Sequence, residues 1–319
     1  MAQTPARRGK KEGYPMADEQ LKIKRNLPHL TAPLLTLFVF GTMHLSRFLL
    51  SGTNGSDLLL SVSLVQILVL AVPCMLYYLL RGRKLATPML VSPIGLRHLW
   101  LILFSALTFL AGSLLIKFLF RSLSDRTVDM TGFFDVLSEK LEDPPFAGIL
   151  LALVIVPAIC EEVLFRGVLL AEYRSLGDWN AILMTALCFA MLHFSVTNFV
   201  AYFFAGILLG MVTVVSRSII PAALLHLMSN ALSVFASDQF LRITLIKNGA
   251  FFVGFLLTVL FGLALFFFLY CVEHLYFRYA EQPPETKLPP RGRDGLAKTF
   301  LSPTFLLLVV VFLLITAFQ

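Results

Sequence analysis

The sequence predicts an all-α fold: a polytopic transmembrane bundle of eight core helices followed by a ninth, C-terminal span. Three observations predict it. Hydrophobic residues fill 58% of the 319 positions and charged residues only 14%, against roughly 25% charged in a soluble chain. The apolar residues gather in runs close to the ~20 residues that an α-helix needs to cross hydrocarbon. Basic residues collect at the ends of alternate runs, as orientation in a bilayer requires. The net charge of +7 is explained by that orientation, so no nucleic-acid partner is inferred.

The elements follow in order. Residues 1–29 form a polar, basic tail with Arg7, Arg8, Lys10, Lys11, Lys22, Lys24 and Arg25. It leads into the first apolar run with no small-residue cleavage site at its end, which reads as an uncleaved anchor. Spans are expected at 30–50, 58–80, 96–120, 146–173, 179–196, 199–216, 219–237, 249–273 and 300–318. Only Arg217 and Ser218 separate the sixth from the seventh, and Pro221 follows. That link predicts a tight antiparallel hairpin, with the proline tolerated in a first helical turn. Between the third and fourth spans, Phe133, Phe134, Leu137 and Leu141 recur at helical spacing. They predict either an amphipathic helix in the interface or an ordered loop. The Pro-rich polar stretch 281–299 sets the last span apart as an appendage.

The charges give the topology. With the N-terminus inside, Arg81, Arg83, Lys84, Arg97, Arg174, Arg217, Arg278, Lys287, Arg291, Arg293 and Lys298 lie on the cytoplasmic side. Arg121, Arg126, Lys140, Arg242 and Lys247 lie opposite. The excess inside fits nine spans with the C-terminus outside.

Cys74, Cys160, Cys188 and Cys271 all lie in apolar runs without a CxxC pair, so neither a disulfide framework nor a cysteine zinc site is indicated. Cys160 sits beside Glu161, but an apolar setting keeps a thiol inert. Lys117 and Arg47 are near span ends, where long side chains reach the interface. His44, His98 and His274 are read as structural.

Ionisable residues deep in a span are costly and mark function. The fourth span contains Glu161, Glu162 and Arg166. Glu161 lies about 12 residues before Tyr173, roughly 18 Å deep at 1.5 Å per residue. Glu162 and Arg166 share a helix face and can pair, while Glu161 points about 100° away. One carboxylate is thus balanced by arginine and the other is free for proton chemistry. A plain ion-pair network does not account for the surplus negative charge. The fifth span places His193 roughly 21 Å from its cytoplasmic end. The seventh carries His226 and Asn230 on one face, at depths of roughly 10 and 16 Å. A carboxylate that accepts a proton can activate water. Histidines and an amide can stabilise an oxyanion or hold a metal. Together they suit hydrolysis of a peptide bond. No GxSxG elbow, GxxxxGK loop or HExxH helix is present.

Glu161-Glu162-x-x-x-Arg166, Phe189-x-x-x-His193 and His226-x-x-x-Asn230, each in its own helix, resemble the CPBP family. Its members include the type II CAAX prenyl endopeptidases and the bacterial Abi-type, bacteriocin self-immunity proteins. The resemblance covers 146–237 without departure at these positions. It implies an intramembrane endopeptidase with eight helices and a cavity open to the cytoplasm. Glu161 would activate water, supported by Glu162, Arg166, His193, His226 and Asn230. The family is described as both glutamic and metallo-type. The expectation here is glutamate-activated water without a tightly bound cofactor; a divalent ion such as zinc, if present, would take Glu161, His193 and His226. The implied partners are the lipid bilayer and a peptide or protein substrate in or at the membrane, such as a prenylated protein or a leader peptide. The short loops and the lack of organelle signals point to a bacterial inner membrane.

On this reading the chain divides into the cytoplasmic tail 1–29, a membrane peptidase domain 30–277 with its motif core at 146–237, a linker 278–299 and a C-terminal transmembrane helix 300–319. The alternatives are a non-catalytic regulator or immunity scaffold of the same family, and a proton-coupled transporter. The intact motifs weigh against the first. The lack of inverted repeats weighs against the second.

Overall fold

The structure, a computed structural model, describes residues 27–50, 56–81, 84–123, 145–236, 249–280 and 294–318. The tail before residue 27, the amphipathic stretch around Phe133–Leu141 and most of the linker, 281–293, lie outside the described residues. So do the flanking charges Arg83, Arg126, Lys140, Arg242 and Lys247.

Among the described residues the fold is helical, without strands. Helix α1 runs Pro28–Leu50 and α2 covers 56–80. Helix α3 is Leu99–Leu123, after a 3-10 turn at Leu96–His98. Helix α4 spans Phe146–Leu176. Then come α5 (Asp178–Leu192), α6 (Phe199–Ser216), α7 (Ile219–Phe235) and α8 (Ala250–Ala280). Helices α9 (Asp294–Phe300) and α10 (Pro303–Ala317) close the chain. Five helices are long and apolar enough to cross a membrane: Leu58–Leu80, Leu96–Phe120, Phe146–Leu176, Phe199–Ser216 and Ala250–Tyr276. The apolar helices α5, α7 and α10 are shorter. Phe251, Phe255, Leu263 and Phe266 of α8 stand exposed. Such a surface is stable only against lipid or another apolar partner. The chain is a multi-pass membrane protein.

Two helices widen where a proline interrupts them. In α2 a π-helical stretch, Ile67–Ala71, precedes Pro73; in α4 the stretch Leu150–Ile155 precedes Pro157. Proline lacks an N–H, and its ring crowds the carbonyl four residues back. A wider turn accommodates both effects. A third π-helical stretch, Val163–Leu169, follows Glu162 directly and contains Arg166. Wide turns of this kind occur often at functional sites.

Helix α4 packs against α5 and α7, while α6 lies against α5, α7, α3 and α8. Many of the largest fully buried side chains belong to α4, among them Arg166, Tyr173, Phe165 and Leu169. Helix α10 buries Phe305, Leu308 and Phe312 and packs against α1. Asn180 Nδ2 donates to Thr299 Oγ1 at 3.4 Å, tying α9 to the start of α5.

The segment 84–95 forms a strap across one end of the bundle. Thr87 donates to the Ala171 carbonyl through its N–H (3.0 Å) and its hydroxyl (2.7 Å). Ser92 N–H donates to Arg217 O at 3.0 Å, and Ile219 N–H donates to Leu90 O at 2.8 Å. The strap therefore joins the end of α4 to the α6–α7 turn. That turn is tight, with Arg217 left-handed at φ 54° and Ser218 Oγ accepting from Ile220 N–H. Arg81, just before the strap, pairs through Nη2 and Nε with the fully buried Glu172 carboxylate. Burial weighs against the Arg81 charge, but the hydrogen bond and charge of Glu172 outweigh it and raise its pKa.

Candidate active site

Helices α4, α5 and α7 each bring one motif to the same region. On α4, Arg166 Nη1 donates to Glu162 Oε1 at 2.8 Å, the i,i+4 pairing expected from the sequence. From α7, His226 Nδ1 donates to the same oxygen at 2.8 Å. A carboxylate oxygen only accepts, so Nδ1 carries the hydrogen there. Glu162, Arg166 and His226 are all buried. An unpaired ion in such a place is very costly, and this mutual engagement offsets it. Arg166 Nη2 also donates to the Gly206 carbonyl of α6 at 3.2 Å. Its guanidinium lies over the Phe189 ring at 4.7 Å.

Gly206 makes this possible. A Cβ at that position would lie 2.7 Å from Ala186 Cα, so α5 and α6 approach as closely as they do because no side chain intervenes. The carbonyl exposed there is the one Arg166 uses.

Glu161 is held differently. Its Oε2 forms no hydrogen bond and lies 3.9 Å from His226 Nε2. That separation is beyond hydrogen-bond range. The Glu161 side chain keeps 13% exposure against 1% for Glu162. One histidine thus stands between two adjacent carboxylates, bonded to one and facing the other.

Phe189 touches both motif histidines, with ring centroids 4.8 Å from His193 and 5.6 Å from His226. His193 gives its Nδ1 hydrogen to the Phe189 carbonyl at 2.9 Å. It occupies the C-cap of α5, and the next residue, Phe194, turns the chain with φ 46°. Left-handed backbone is rare for a bulky residue; the buried Phe194 ring, edge-on to Phe40 at 5.0 Å, holds it there. Asn230 lies one turn beyond His226 on α7, half-buried.

Residues 143–232 match the family described as Type II CAAX prenyl endopeptidase Rce1-like. This segment is similar to an Rce1-like domain. It contains every one of the motif residues, from Glu161 to Asn230, and its family is one of CAAX-type proteases. No curated protein and no solved structure matches the chain.

A metal ion fits the Rce1-like motifs poorly as they stand. His226 Nδ1 is taken by Glu162, which leaves its Nε2 as the one nitrogen that could face an ion. Among the described residues no three His, Cys, Asp or Glu side chains gather closely enough to hold an ion, so Glu161, His193 and His226 do not form a set. No step below is routed through one.

The four histidines outside the motifs sit elsewhere, His29 in the first turn of α1. His98 Nδ1 accepts from Gly95 N–H at 3.1 Å and caps the turn that starts α3. His274 is exposed and stacks on Tyr270 at 6.4 Å. His44 is half-buried in α1. Three participants gave no signal in the sequence: the Gly206 carbonyl, the Tyr202 ring stacked on His193 at 3.8 Å, and the Arg81–Glu172 pair. Each is a contact between helices, which a motif of fixed spacing does not encode.

Proposed function

We propose that the chain is an intramembrane endopeptidase that hydrolyses peptide bonds of membrane-associated substrates with water activated by Glu161. One observation carries the reading: the two adjacent carboxylates are unequally engaged. Each carboxylate has an Oε2 without a hydrogen-bond donor, but Glu162 is buried and its Oε1 is engaged by both Arg166 and His226, whereas the Glu161 side chain keeps 13% exposure. A general base needs an available lone pair, and neighbouring carboxylates in different environments divide such roles.

In this mechanism water attacks the scissile carbonyl carbon as Glu161 takes its proton. The resulting oxyanion is met by the N–H donors of the Asn230 amide. Collapse of the tetrahedral intermediate breaks the C–N bond, and Glu161 returns the proton to the leaving amine. Glu162 and Arg166 hold His226 in place. Prenylated C-termini and leader peptides are the substrate classes that the family suggests. We infer a bacterial inner-membrane location with a cytoplasmic N-terminus, supported by the short connections and the basic residues at one end.

The test compares membrane proteomes of cells with the wild-type chain and with Glu161→Ala, then measures cleavage of the candidates by purified protein. The expected result is loss of cleavage in a variant with an unchanged thermal melt. A folded Glu161→Ala variant that cleaves like wild type removes the mechanism. Partner binding that survives Glu161→Ala, with no cleavage by any variant or by wild type, favours a regulatory protein.

A further inference from the structure

His193 has two ring nitrogens with separate fates. Nδ1 is committed to the Phe189 carbonyl at 2.9 Å. A carbonyl only accepts, so this bond places a hydrogen on Nδ1, and in the neutral ring it leaves the Nε2 lone pair available. The bond alone does not fix the ring. Rotation about the last side-chain torsion of histidine is soft, and a partial turn would tilt the ring and carry Nδ1 out of line with the Phe189 carbonyl. Something else must hold the plane.

Tyr202 occupies that place. It lies on the first turn of α6, across the connection from α5, and its ring stacks on His193 with centroids 3.8 Å apart and planes within 18°. Phe189 meets the same imidazole edge-on at 4.8 Å and 60°. The histidine is therefore held by an aromatic ring over one face and another against it at a steep angle. The connection itself is braced, with Asn198 N–H donating to Ser195 Oγ at 3.2 Å and Tyr202 N–H to the Asn198 carbonyl at 3.0 Å. Tyr202 is thus set at a fixed height relative to His193.

We propose that Tyr202 is a positioning residue for the reaction: its ring locks the imidazole of His193 in the orientation that spends Nδ1 on Phe189 and keeps Nε2 for the substrate side. This rests on the peptidase reading for its catalytic consequence, though not for its structural one. The stacked face, with no demand on the hydroxyl, is the working feature. Phenylalanine should therefore replace tyrosine, and an aliphatic residue of similar bulk should not.

Two measurements test it on the full-length chain in detergent or liposomes. The first needs no activity. Protein labelled with ¹⁵N-histidine, with the His193 signal assigned through His193→Gln, reports which nitrogen carries the hydrogen. Wild type and Tyr202→Phe should show one neutral form with hydrogen on Nδ1; Tyr202→Leu should show both forms or an averaged signal. The second is cleavage of a validated peptide. Tyr202→Leu should lose kcat on the order of 10²-fold, the cost typical of a misplaced reacting group, with KM little changed, and Tyr202→Phe should restore it. A Tyr202→Leu protein with an unaltered His193 signal overturns the proposal, as does a Tyr202→Phe protein as impaired as Tyr202→Leu, which would assign the work to the hydroxyl. If wild type cleaves nothing, the peptidase reading fails, and the histidine signals still decide whether Tyr202 sets the ring.

Discussion

At the scale of single residues, the polar group is held by shared oxygen atoms. Glu162 Oε1 accepts from Arg166 and from His226, both at 2.8 Å. Removing Arg166 leaves that carboxylate buried with its cationic partner gone. Breaking a buried pair costs roughly 3–5 kcal/mol, so Arg166→Ala should lower the melting temperature as well as activity. Cys160→Ala and His44→Ala should keep most of both. Thermal melts beside cleavage assays separate the two effects; an Arg166→Ala protein as stable as wild type contradicts the assigned role. Metal content is a second test. Purified active protein should hold no stoichiometric zinc, and chelation should leave cleavage intact. Zinc at one equivalent, with activity lost on chelation and restored on re-addition, would replace the glutamate mechanism. The pairing of Glu162 with Arg166 was legible in the sequence because four-residue spacing fixes it within one helix. The placement of His226 between both carboxylates was not, because it depends on the register between α4 and α7. Nor was the Tyr202 stack, which crosses a loop.

At the scale of elements, small residues set how near the helices come. The apolar runs gave the positions of the helices well, because the 20-residue requirement of the bilayer is written in composition. They gave no hint of the three wide turns. Two of these have a visible cause in Pro73 and Pro157, but an interior proline can also be met by a kink. The α5–α6 contact is the more consequential element. A methyl group at Gly206 would sit 2.7 Å from Ala186 Cα and 2.9 Å from its Cβ, and backbone cannot yield cheaply. At Gly210 the nearest atom is Ile182 Cγ2 at 3.3 Å, the end of a side chain that can shift. Gly206→Ala should therefore destabilise by ~1–3 kcal/mol, the usual cost of overpacking, and reduce activity by moving the carbonyl that receives Arg166. Gly210→Ala should be clearly milder. Equal melts for the two variants would show that the Gly206 approach is not what limits the helix pair.

At the scale of the whole molecule, the strap gathers charge at one end. It is hydrogen-bonded to Ala171 on α4 and to Arg217 and Ile219 around the α6–α7 turn. Arg81 and Lys84 flank its start, Arg97 follows it, and Arg174 and Arg217 lie beside its anchors. Five cations thus share one end of the bundle, though their helices are far apart in sequence. Positive charge near span ends favours the cytoplasmic side. The strap should therefore face the cytoplasm. Ser92 is a suitable probe: its side chain is exposed, and its structural bond to Arg217 uses only the backbone N–H. A Ser92→Cys variant in intact cells should react with a membrane-permeant maleimide and resist an impermeant one until the cells are opened. Cys74 and Cys188 are buried but Cys160 and Cys271 are partly exposed, so the parent protein serves as the blank for the native thiols. Labelling of Ser92→Cys by the impermeant reagent in intact cells would invert the topology. It would also contradict the cavity open to the cytoplasm that the family resemblance implies, and with it the compartment from which any peptide substrate is expected to come.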